Sequence, residues 1–145
     1  MAKAKVLVID DNKTLLRELK EMFTLEGYEV EVSSSGTKAI ETVYKYRPDI
    51  IFLDLKLDEK SGFQIADDIR HLPEISGIPI IAMTGYYTEQ QHKSFMKKCG
   101  INDYLIKPFQ PMDVFDKLET FIVSKYTPAF IRSLWDSRIR NTRVQ

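Results

Sequence analysis

The stretch Asp49-Ile50-Ile51-Phe52-Leu53-Asp54 is apolar without a break between its two acids. A run this short, rich in Ile and bounded by polar residues, reads as a strand buried on both faces of a parallel sheet. The pattern recurs on either side of it. Lys5–Ile9 (Lys-Val-Leu-Val-Ile) stops at Asp10-Asp11, Ile78–Met83 (Ile-Pro-Ile-Ile-Ala-Met) at Thr84-Gly85, and Asp103–Ile106 (Asp-Tyr-Leu-Ile) at Lys107-Pro108. Open α/β sheets bind ligands outside the carboxyl ends of their strands. If all four runs are strands, the carboxylates of Asp10, Asp11 and Asp54, the Thr84 hydroxyl and the Lys107 ammonium converge on one edge. Carboxylates gathered in this way repel one another unless a cation sits among them, and hard oxygen donors suit Mg2+. An ammonium beside such a cation makes sense with a phosphoryl group as guest.

Helical patterns separate the runs. After Asn12, a candidate cap, Leu15, Leu16, Leu19, Met22 and Phe23 recur at helical spacing, and Gly27 is placed to end the helix. Tyr28–Val32 alternates as a strand does and is the least hydrophobic of the five, which predicts an edge position. Thr37–Tyr46 carries a stripe of Ala39, Ile40, Val43 and Tyr44 and is stopped by Pro48. A polar loop from Lys56 to Ser61 leads through Gly62 to a short third helix with Phe63, Ile65, Ala66 and Ile69, closed before Pro73. From Thr88 to Cys99 the apolar stripe thins to Phe95, Met96 and Cys99, which predicts a mobile fourth helix capped by Gly100. Pro111 suits the first turn of a fifth helix whose inner face is Val114, Phe115, Leu118, Phe121 and Ile122. Five strands alternating with five helices predict right-handed crossovers and an α/β, doubly wound parallel sheet.

Composition narrows the possible functions. A chain of 145 residues, 43% hydrophobic and 29% charged, suits one soluble domain with its own core. Zero net charge argues against bulk attraction to nucleic acid or an anionic membrane. That zero conceals an asymmetry, because Lys125, Arg132, Arg138, Arg140 and Arg143 against Asp136 give residues 125–145 a net +4 and leave −4 on the rest. The lone Cys99 excludes an internal disulfide. No apolar stretch approaches the roughly 20 residues of a membrane span. The opening Met-Ala-Lys-Ala-Lys runs directly into a strand, so no signal peptide and a cytoplasmic location are expected.

Asp10-Asp11, Asp54, Thr84-Gly85, Tyr104 and Lys107-Pro108, in this order and spacing, resemble the receiver domain of two-component response regulators, over about residues 4–124. The resemblance implies a flavodoxin-like, five-stranded sheet of order 2-1-3-4-5, a receiver domain over residues 1–124, and Mg2+ as cofactor, with Mn2+ able to substitute. It implies that Asp54 is the phospho-acceptor, attacking the phosphohistidine of a sensor histidine kinase or phosphotransfer protein, or a small phosphodonor, to give an acyl phosphate. It further implies that Asp10, Asp11 and Asp54 hold the metal with the backbone carbonyl of Lys56. Thr84 would be the switch hydroxyl, Gly85 would leave room for the phosphate and offer an N–H, and Lys107 would pair with a phosphoryl oxygen ahead of a cis bond to Pro108. Tyr104 would be the aromatic that swings inward with Thr84. Taken alone each is bland: Asp-Asp-Asn opens a helix, Thr-Gly enters a loop, and a strand Tyr only packs.

Three features stand apart from the family pattern. Leu57-Asp58 occupies positions where the family often has Met-Pro, with Asp58 expected to face solvent beside Lys60, while Gly62 is retained. Lys56 and Tyr86 fill the two positions that tune phosphoryl lifetime in the family, with a long cation and a bulky ring, which predicts slow self-dephosphorylation. Beyond the fifth helix, Tyr126, Phe130, Ile131, Leu134 and Trp135 recur at helical spacing over residues 125–145. Pro128 is placed to start that helical tail, which would pack on the receiver, make a dimer or partner surface, or begin an output region. The leading expectation is a phosphorylation switch with output through the face of the fourth helix, fifth strand and fifth helix, toward an unidentified output protein or a homodimer, without direct nucleic-acid binding. The alternatives are a phosphorylation-independent interaction module and an aspartyl-nucleophile phosphatase. The phosphatase is disfavoured because Lys56 stands where those enzymes carry a second Asp, and a flavin site because Asp10-Asp11 would repel the anion.

Overall fold

Strand and helix alternate strictly along the chain: β1 (Lys5–Ile9), α1 (Lys13–Leu25), β2 (Glu29–Ser33), α2 (Ala39–Tyr46), β3 (Ile50–Asp54), α3 (Gly62–Arg70), β4 (Ile80–Thr84), α4 (Gln90–Lys98), β5 (Asp103–Ile106) and α5 (Pro111–Tyr126). The computed structural model describes residues 4–126. All five strands are parallel, in the order β2-β1-β3-β4-β5, the doubly wound arrangement expected. The aromatic stripe Phe130, Ile131, Leu134 and Trp135, with most of the basic tail, lies outside the described residues. No described helix is long and apolar enough to cross a membrane.

Alternation along each strand divides the core into two layers. Leu7, Ile9, Ile51, Leu53, Ile80 and Ala82 face α2, α3 and α4, where they meet Val43, Ile65, Ile69 and Met96. Val6, Val8, Ile50, Phe52, Ile81 and Met83 face α1 and α5, where they meet Leu19, Phe23, Val114 and Leu118. Every residue of β3 and β4 is buried, which is why their sequences run apolar without alternation. β2 is an edge strand, and its residues read alternately exposed and half-buried.

Helix boundaries follow from local chemistry. The Asn12 side chain accepts from the N–H groups of Thr14 and Leu15, both at 3.1 Å, capping α1 as expected. Pro48 disfavours a helical Arg47, which adopts φ 54° instead. Arg47 is held there by its guanidinium, bonded to the Tyr44 carbonyl at 2.8 Å and to Glu74 at 2.8 Å.

Three local expectations need correction. The segment Lys56–Ser61 is not uniformly polar in role, because Leu57 is buried in the α2–α4 layer and pins the loop. Phe95 does not share the buried stripe of Met96 and Cys99 but is half exposed. β4 begins at Ile80 rather than Ile78, since Pro79 lacks an N–H and the Ile78 carbonyl is taken by Arg70 at 2.7 Å.

Candidate functional site

The carboxyl ends of β1, β3 and β4 deliver Asp10, Asp54 and Thr84 to one depression, and these are the buried polar side chains among the described residues. Asp11 joins the first two: a carboxylate oxygen from each of Asp10, Asp11 and Asp54 lies within 4.8 Å of the others. Lys107, just past β5, reaches across the sheet edge. Its ammonium donates to Asp10 Oδ2 at 2.7 Å and lies 3.6 Å from Asp54 Oδ1. The remaining Asp10 oxygen accepts from the Asn12 N–H at 2.9 Å, so Asp10 is fixed at both oxygens.

Asp54 is less fully compensated. It accepts a long 3.3 Å bond from the Lys56 N–H. Burial first, and then the neighbouring Asp10 carboxylate, push its carboxyl up to about 6; Lys107 and the Lys56 N–H pull in the opposite direction. Three acids against one ammonium leave the depression short of positive charge. Oxygen donors at this spacing fit a hard divalent cation, which would relieve that imbalance.

Backbone constraints hold Asp54 in place. Gly62 opens α3 directly beneath Asp54, where a Cβ would run into the Asp54 carbonyl oxygen and come within 2.7 Å of Leu55 Cα. The Gly62 N–H bonds to the Leu55 carbonyl at 3.0 Å, closing the loop that contains Lys56. This steric requirement was not readable from sequence spacing. At Gly85, by contrast, a Cβ would meet Lys107 Cβ at an ordinary 3.5 Å, so packing against Lys107 does not demand glycine there.

Thr84 Oγ1 accepts from the N–H groups of Tyr86 at 3.1 Å and Tyr87 at 2.8 Å, tying the hydroxyl to the loop that follows β4. The Lys107 N–H bonds to the Thr84 carbonyl at 2.8 Å, and the Lys107–Pro108 peptide is cis. Tyr104 stands apart from this group. It is half-buried on β5, opposite Ala82, against the α2–α4 layer, with the Lys93 ammonium 5.2 Å from its ring centre. The Lys56 ammonium lies 4.1 Å from the centre of the exposed Tyr86 ring. Asp58 is exposed as expected, but Lys60 pairs with Asp68 at 2.6 Å instead.

Residues 6–119 match the response regulator receiver domain family. The DNA-binding response regulator MtrA of Mycolicibacterium paratuberculosis is 33% identical over 110 residues, covering 76% of this chain and 47% of MtrA. The chain spans about half the length of several curated relatives it matches. Among solved structures, the chemotaxis protein CheY4 of Vibrio cholerae has a TM-score of 0.77 at 30% identity, over 81% of this chain and 98% of that one. The receiver domain of the sensor histidine kinase PA1611 from Pseudomonas aeruginosa, solved with a magnesium ion coordinated in its active site cleft, has a TM-score of 0.75 at 28% identity, over 83% and 98%.

Proposed function

Because the chain belongs to the response regulator receiver domain family, we propose that it is a signalling switch that accepts a phosphoryl group on Asp54. The observation that carries this reading is the gathering of Asp10, Asp11 and Asp54 within 4.8 Å, with the Lys107 ammonium inserted between Asp10 and Asp54. The donor is a sensor histidine kinase or phosphotransfer protein. An Asp54 oxygen bonds to phosphorus as the P–N bond of phosphohistidine breaks, and the imidazole nitrogen leaves with the electron pair. Asp10, Asp11, Asp54 and the Lys56 carbonyl would hold Mg2+, or Mn2+ in its place, which when bound neutralises phosphoryl oxygens. The cleft magnesium of the PA1611 receiver supports this choice of metal.

Lys107 moves from its carboxylate partners to a phosphoryl oxygen. Thr84 Oγ1 uses its lone pairs on Tyr86 and Tyr87, which leaves its proton to donate to another phosphoryl oxygen, with the Gly85 N–H beside it. The receiver occupies residues 1–124, residues 125–145 forming an appended segment. Output runs through the face of α4, β5 and α5, with Tyr104 turning inward on phosphorylation and an output protein or second chain as reader. Turnover of external phosphate esters is not part of this function, since Lys56 occupies the position where a phosphatase needs an acid/base carboxylate.

Incubation with Mg2+ and acetyl phosphate, followed by intact-mass measurement, tests the proposal. The parent should gain one phosphoryl group and Asp54→Ala none. No gain by the parent, with Mg2+ binding confirmed by calorimetry, would overturn it.

A further inference from the structure

On the face formed by α3 and α4, away from the acidic depression, lies a groove of about 370 Å³. Phe63 and Cys99 line its inner part; Gln64 and Asp67 stand on the α3 side, Phe95 and Lys98 on the α4 side. Phe95 is 50% exposed although its ring centre lies 5.0 Å from that of the buried Phe63. Phe63 in turn packs edge-on against Tyr87 at 5.0 Å. The exposed ring therefore rests on a buried ring that is itself braced by Tyr87, and would need little ordering on binding.

The charges flanking this aromatic centre have opposite signs on the two helices. Asp67 is 44% exposed on α3, with the Nδ1 of the exposed His71 ring 3.8 Å from its carboxylate. Lys98 is exposed at the end of α4, and no ion pair engages it among the described residues. An apolar centre ringed by charge is the ordinary anatomy of a protein interface. Here the acid sits on one helix and the base on the other, so a two-fold axis through the groove sets Asp67 of each copy against Lys98 of its mate, with the Phe95 rings between them. A surface carrying both signs in this arrangement complements itself.

We propose that the α3–α4 face docks a second copy of this chain, α3 of each copy against α4 of the other. The contact does not involve Asp54, so it is testable on the unphosphorylated full chain, by sedimentation velocity from micromolar to near-millimolar concentration. The parent should dimerise reversibly. Phe95→Ser, Asp67→Lys and Lys98→Asp should each weaken association at least about tenfold, because a buried aromatic anchor is lost or like charges are set in opposition. An equimolar mixture of Asp67→Lys and Lys98→Asp should restore it to within about threefold of the parent, since both charge pairs are rebuilt across the heterodimer. Restoration also demonstrates that both variants are folded. A parent that stays monomeric throughout, a dimer indifferent to these substitutions, or a mixture that fails to associate would each overturn the proposal.

Discussion

Asp54 accepts two opposing influences: burial and the adjacent Asp10 carboxylate raise its pKa to about 6, while Lys107 and the Lys56 N–H favour the charged form. A carboxyl raised in the folded state above its ordinary 3.8 costs stability wherever it is ionised. That cost is fully present above pH 6 and is withdrawn as the pH falls from 6 toward 4. Asp54→Asn keeps the shape and removes the charge, so it should stabilise the metal-free protein by about 1–2 kcal/mol at pH 7.5. The gain should fade at pH 4.5. Urea melts in chelator at the two pH values decide this, and an equal gain at both would refute an electrostatic origin. The Lys56–Tyr86 pair is a second residue-scale feature, an ammonium stacked on a ring at the rim of the site. Exposed contacts of this kind contribute only about 0.5–1 kcal/mol, so steric obstruction of attacking water is the larger expected effect. On the proposed chemistry, Lys56→Ala combined with Tyr86→Ala should shorten the phosphorylated lifetime several-fold. A time course of intact mass showing an unchanged lifetime would reject that.

At the level of elements, Arg70 near the end of α3 is the principal polar link between segments. Its guanidinium donates to the carbonyls of Gly100 at 2.8 Å, Ser76 at 2.8 Å and Ile78 at 2.7 Å, and to Asn102 Oδ1 at 2.8 Å. Asn102 Oδ1 also accepts the Ile80 N–H at 2.8 Å, so one side chain ties α3 to the starts of both β4 and β5. Gly100 completes the junction. It sits at φ +81°, and a Cβ there would come within 2.5 Å of Arg70 Cγ. Lys at position 70 keeps the charge but cannot present a planar fork to several carbonyls. Arg70→Lys should therefore cost about 2–4 kcal/mol in urea unfolding, nearly as much as Arg70→Ala. A loss below about 0.5 kcal/mol would show that the carbonyls find other partners. In sequence, Arg70 is one more basic residue at a helix end, and nothing in its neighbours marks it out, because all four acceptors lie 6 to 32 residues further along.

Over the whole molecule, one sheet separates two apolar layers, and the same alternation that fills both layers aligns the strand ends where the acids sit. That much was present in the sequence by itself. Strand runs buried on both faces must be apolar throughout, helices must carry a 3.6-residue stripe, and an edge strand must tolerate water; each constraint acts within a few residues and so is written locally. The acids, hydroxyl and lysine were legible for the same reason, each standing at the end of its own run. Tertiary structure alone decided the rest. Lys107 meets Asp10 across 97 positions of chain, which fixes Asp10 by an ion pair and leaves Asp54 the less compensated acid. Gly62 is required by the approach of α3 to the Asp54 backbone, and Leu57 is buried inside a loop that reads as polar. Phe95, read as core, is instead half exposed beside Phe63, because the packing of α3 against α4 determines which residues of a thin stripe are covered. Local periodicity specifies elements, whereas charge compensation, close backbone approach and the covering of one helix by another depend on distances between segments remote in sequence.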